Sequence, residues 1–168
     1  TEFVELYNPT PNVIDLTNYD LRSDLTVTTT GSSWSVSLTG KTIPAYGYFL
    51  VGRSAVSPAP DVLIPSTKNL SNSGTRAGVK LWNTSTNVVY DILAWDPAAS
   101  VGFEGSVNTS AGITSSNPKS LERKAQSSST QQSMTAEDTT FGNGWDSNDN
   151  SLDFFLRDVP QPQNSQSA

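Results

Sequence analysis

Val4 and Leu6 alternate with Glu5 and Tyr7 at the start of the chain, the period of two expected of a strand with one buried face. Asn8-Pro9 ends that run, because proline brings no ladder donor and drives the residue before it into extended or turn geometry. Val13–Leu16 resumes it. The same short apolar or alternating stretches recur between turn signals at Tyr19–Ser23, Ser33–Leu38, Tyr48–Gly52, Gly78–Trp82, Val88–Trp95, Lys119–Lys124 and Phe154–Arg157. Ile43-Pro44-Ala45-Tyr46-Gly47 reads as a turn feeding the Tyr48 strand, and Asn83–Asn87 as a hairpin loop. Helical periodicity is nearly absent. Strands spaced this way, with no helices between them, predict antiparallel pairing and an all-β, two-sheet sandwich.

Two stretches break the rhythm. Pro97–Pro118 and Ala125–Gly144 are rich in Ser, Thr, Gly and Asn and read as long surface loops, longer than most connections in compact domains. Residues 1–158 form the expected domain, and the Pro/Gln-rich residues 159–168 leave it as an extended strap or linker.

A chain of 168 residues is long enough for one self-sufficient core. It has neither Cys nor His, which removes disulfides, thiolate metal sites and the usual general base. Glu2 and Glu5, three apart on a strand, point to opposite faces and cannot flank one glycosidic bond. The sequence therefore nominates no catalytic or cofactor-binding residues, and the expected protein is not an enzyme. A formal charge of −6 with no basic cluster beyond Arg123-Lys124 repels phosphate backbones, so nucleic-acid binding is disfavoured and no nucleic-acid partner is expected. No window is apolar enough to span a bilayer as a helix. The absence of an initiator Met and of a signal peptide marks the sequence as an excised or mature segment. Low Lys, abundant Ser/Thr and the sequons at Asn69, Asn83 and Asn108 suit an extracellular or cell-surface setting.

The densest acidic cluster is Asp146, Asn148, Asn150 and Asp153. Its D-x-N-x-N spacing copies the start of a calcium loop, yet Ser151 replaces the turn glycine and Arg157 stands where a bidentate Glu belongs. An EF-hand is excluded and no metal ligand is assigned. The preferred reading is a side-chain-capped turn leading into the last strand, with Asp153 paired to a basic residue such as Arg123. Trp34, Trp82 and Trp95 are expected in the core, and Trp145 is expected to be the exposed aromatic. An aromatic face for glycan stacking is the minority reading.

Several pieces together resemble the lamin tail domain family, the immunoglobulin-like module of nuclear lamins that also occurs in secreted prokaryotic proteins. They are Glu2–Pro9, Ile14-Asp15-Leu16, Thr42–Val51, Leu70–Gly74, Val88–Asp91, Ser120–Lys124, Asn148–Phe154 and Pro160–Ser165, in the family's order across nearly the whole chain. Without a heptad rod or a basic import segment, the chain is most similar to the secreted, cell-surface branch. The resemblance implies an immunoglobulin-like sandwich and a non-catalytic role in adhesion or assembly. Two departures stand out. The family's first apolar strand, ahead of the Glu-Phe-Val-Glu equivalent, is not in this sequence, and Thr75–Gly78 interrupts a link that is normally direct. A missing strand leaves an open sheet edge near Glu2–Tyr7, available to a protein partner or to self-association. Three roles stay open here: an interaction module, a filament subunit completed by strand donation, and a glycan- or calcium-binding module.

Overall fold

The computed structural model describes residues 2–23, 35–70, 77–95, 103–108 and 119–167. Trp34, Asn72-Ser73-Gly74 and most of Pro97–Pro118 lie outside the described residues. The chain is all-β, with eleven strands, one short helix and one 3-10 turn among the described residues.

The larger sheet contains β3 (Tyr19–Arg22), β4 (Ser35–Ser37), β8 (Gly78–Asn83) and β9 (Val88–Ala94), in the order β4-β3-β8-β9. The other principal sheet contains β1 (Phe3–Tyr7), β6 (Tyr48–Gly52) and β7 (Val62–Leu63), in the order β1-β6-β7. Two-stranded ladders join β2 (Ile14–Asp15) to β5 (Thr42–Ile43), and β10 (Ser120–Arg123) to β11 (Phe154–Arg157).

Alternation places one face of each principal sheet on a shared core. Val4, Leu6, Phe49 and Val51 come from one sheet and Leu21, Val36, Val79 and Leu93 from the other, with Leu16, Ile43 and Trp95 between them. Each fully buried aliphatic side chain contributes about 1.5–3 kcal/mol relative to exposure. A smaller cluster on the opposite face of β9 packs Ile92 and Ala94 beneath Phe103 and Val107.

Local chemistry explains the turns. Asn83 Oδ1 accepts the amides of Ser85 and Thr86, each at 3.0 Å, and Asn87 takes a left-handed φ of 58°, which makes the β8–β9 hairpin. Asn8, fully buried, ends β1 by donating to the carbonyls of Asn12 at 2.7 Å and Pro44 at 2.8 Å.

Several features differ from the sequence reading. Ile43 belongs to β5 rather than to the turn, which starts at Pro44 and closes with Gly47 N–H on the Pro44 carbonyl at 3.1 Å. One pairing, β6 with β7, is parallel. Asn150–Asp153 is a one-turn helix, α1, whose N-cap Asp149 accepts the Ser151 amide at 2.9 Å. Ala125–Gly144 is not only a surface loop, since Ser133–Thr135 forms a 3-10 turn and Met134 is buried. The reason is Asp138, whose carboxylate collects Ser129 Oγ at 2.8 Å, Gln126 Nε2 at 2.9 Å and the Ser133 hydroxyl, folding a polar segment inward.

Candidate functional site: the free edge of the first strand

β1 has β6 on one side and, among the described residues, no strand on the other. Its register fixes which groups face outward. Glu2 O accepts from Arg53 N at 3.0 Å and Asn8 N donates to Gly47 O at 2.9 Å, so the hydrogen-bonded pairs fall on even-numbered residues. Val4 and Leu6 turn their main-chain groups toward β6. Those of Phe3, Glu5 and Tyr7 point away from it.

That edge borders a cavity of about 1000 Å³. It is lined by core residues including Leu16, Val79 and Trp95, by β10, by Asn143 and by Pro160–Gln163. Residues 159–167 lie against the domain: Asn164 Nδ2 donates to Ala59 O at 2.9 Å, Ser165 N to Asp61 at 3.0 Å, and Gln163 N to the Glu5 carboxylate.

Glu5 lies on the face of β1 opposite Val4 and Leu6. Burial pushes its carboxyl up to about 7, against the Gln163 N–H that favours the charged form, while nearby Glu122 raises it further. Burial, with Glu5 beside it, also pushes Tyr48 up to about 12, so its hydroxyl stays protonated and donates to Asn143 Oδ1 at 2.9 Å. Asn143 Nδ2 in turn reaches Glu122 Oε1 at 3.1 Å and Arg123 O at 2.9 Å. Glu122 pairs with Arg157. Glu2 is held by Arg53 at 3.3 Å, so Glu2 and Glu5 have separate partners and form no acid/base pair.

The acidic turn is assembled differently from its sequence pattern. Asn150 is wholly buried and turned toward β9, and Asn148 is exposed with its amide on Asp146 at 2.9 Å. Oxygens of Glu104, Asp146 and Asp153 lie within 4.8 Å of one another. No sequence spacing links Glu104 to the turn; folding alone brings it there. Arg123 supplies the cation, 3.5 Å from Asp146, 3.7 Å from Asp153 and 2.8 Å from Asp91. The expected Arg123–Asp153 pair is thus present. Burial, then Asp91 and Asp146, push Glu104 up to about 7.

The aromatic and sequon residues divide. Trp82 and Trp95 are in the interior, as expected, which removes both as platforms for sugar stacking. Trp145 is half-buried, contrary to expectation, because its amide donates to Lys124 O at 2.9 Å and its carbonyl accepts from Arg123 at 3.2 Å. The exposed aromatics among the described residues are Tyr46, Tyr90 and Phe141. Asn69 is exposed, whereas Asn108 is 2% exposed and spends its amide nitrogen on the carbonyls of Asn150 and Phe154.

No helix of the described residues is long and apolar enough to cross a membrane. Compared with protein-family models, curated proteins and solved structures, the chain matches none of them.

Proposed function

We propose that this chain is a non-catalytic structural and interaction module of an extracellular or cell-surface protein, with the free edge of β1 as its contact surface. The observation that carries this reading is the outward row of main-chain groups at Phe3, Glu5 and Tyr7, set beside an apolar cavity. Unpaired edges of this kind template association with another chain. Of the charged groups lining the cavity, Glu122 is tied to Arg157, Arg123 to Asp91, and Lys119 to Asp158 at 2.7 Å. With no His or Cys in the chain, that supports a binding role over turnover. Two sheets facing across one core support the immunoglobulin-like, lamin-tail-like reading of the fold.

A photo-crosslinking residue placed at Phe3, and separately at exposed Val88, in the intact protein on its own cells tests the proposal. Adducts formed from position 3 and not from position 88 support it. Equal adducts at both, none from position 3, or a protein inaccessible to impermeant surface reagents would refute it.

A further inference from the structure

We propose that Asn83, at the tip of the β8–β9 hairpin, is a modification site that takes an N-linked oligosaccharide. The donor class is a sugar activated at C1 as a diphosphate ester. This rests on the extracellular reading of the chain and adds a modification to it.

The sequence offers three acceptors of the form Asn-x-Ser/Thr, at Asn69, Asn83 and Asn108, and cannot rank them. Their surroundings do. Asn108 is 2% exposed, and its Nδ2 is already donated to the carbonyls of Asn150 at 3.3 Å and Phe154 at 3.1 Å. A sugar on that nitrogen would have to displace both bonds from the interior. Asn69 is exposed, but its Oδ1 is gripped by Arg53, which also holds Glu2 at 3.3 Å and the Pro65 carbonyl at 2.9 Å.

Asn83 is arranged the other way round. Its Oδ1 accepts three donors: the Ser85 amide at 3.0 Å, the Thr86 amide at 3.0 Å and the Ser85 hydroxyl at 2.8 Å. Its Nδ2 makes no hydrogen bond to the described residues and opens to solvent. Residues 84–88 are all exposed, so a bulky group leaves the domain without crossing packed chain. The tip is also held in place, since Thr84 N and Oγ1 both donate to Asn18 O, at 2.8 and 3.1 Å.

This geometry suits the chemistry of transfer. An amide nitrogen is a poor nucleophile because its lone pair is shared with the carbonyl. Donors gathered on Oδ1 stabilise the negative charge that collects there as the Nδ2 proton leaves. The Ser85 hydroxyl, two residues on, is one of those donors, which gives the third sequon position a physical role at this site. In the step itself the Nδ2–C1 bond forms and the C1–O bond to the diphosphate breaks. The diphosphate departs with that electron pair, and the Nδ2 proton passes to a base of the transferring enzyme.

Glycopeptide mass spectrometry on the intact protein from its own cells tests the site. A sugar mass is expected on Asn83 and none on Asn108. Ser85→Ala is expected to lower occupancy of Asn83 at least tenfold, Ser85→Thr to retain it, and Asn83→Gln to abolish it. Ser85→Ala keeps the acceptor and two of its three donors, so a folded variant reports on the hydroxyl alone. Asn83 bare, a glycan on Asn69 or Asn108 with Asn83 bare, or full occupancy in Ser85→Ala would each overturn the proposal. If Asn83 is bare while impermeant surface reagents still label the protein, the site falls and the extracellular reading stands. If that labelling fails as well, both fall.

Discussion

Asn150 stands in for a strand against Ala94. Its Oδ1 accepts the Ala94 amide at 3.1 Å and its Nδ2 donates to the Ile92 carbonyl at 2.9 Å, so one buried side-chain amide caps the outer edge of β9 as a neighbouring backbone would. Replacing it by Ala leaves a donor and an acceptor buried without partners. Asn150→Ala is expected to lower stability by about 2–4 kcal/mol, read as a reduced midpoint in urea. A change under about 0.5 kcal/mol would show that water satisfies both groups.

Arg123 binds Asp91, Asp146 and Asp153 and lies 4.5 Å over the Phe154 ring. Asp153 is wholly buried, so removing the cation strands its charge. Arg123→Met is expected to cost about 3–5 kcal/mol, and adding Asp153→Asn should recover part of that loss. In the Arg123→Met chain, calcium is expected to raise the melting temperature by binding the carboxylates left facing one another. The unaltered chain is expected to show no such rise. A calcium-dependent melting temperature in the unaltered chain would mean that the ion competes successfully with Arg123.

Glu5 and Glu104, both pushed up to about 7, give the fold a pH dependence. Each carboxyl holds its proton more tightly in the folded state than in the unfolded chain. Between the ordinary carboxyl range and neutrality the folded state therefore binds more protons, and stability falls as pH rises. Below that window both states are protonated and the benefit is complete; above about pH 8 it is lost. Asp149 and Asp158, held low chiefly by hydrogen bonds from Ser151 and Lys119, set the opposite slope in more acid solution. The melting temperature is expected to drop from pH 5.5 to pH 8, and Glu5→Gln to flatten the drop. An unchanged slope in that variant would assign the effect elsewhere.

Gly142→Ala tests the close packing of Gly142 against Tyr7. The position combines a left-handed φ with direct contact against Tyr7, so even a methyl group is strained twice over. A loss of at least about 1 kcal/mol is expected. Equal stability of the variant would mean that Tyr7 swings aside freely.

Much of the strand pattern was legible from alternation alone. Val4/Leu6, Leu21, Phe49/Val51 and Val79 announce buried faces because a strand's side chains alternate whatever surrounds it. Two-residue β5 and β7 were not legible, since so short a segment carries no period and is fixed only by its neighbour. Trp145 misled for a similar reason: its Gly-rich surroundings suggest exposure, but Lys124 and Arg123 fix its backbone from across the chain. Glu104 was invisible as a partner of Asp146 and Asp153, because no local rule relates residues so far apart.

By itself the sequence determined the class of structure and the chemistry denied to it, because periodicity is local and a missing imidazole or thiol cannot be folded into existence. Tertiary structure alone decided which main-chain groups of β1 face outward, that β10 lines the same cavity, and that Glu5 lies without an ion-pair partner among the described residues. Those facts depend on register and on distant segments meeting, and neither is encoded in any window of neighbouring residues.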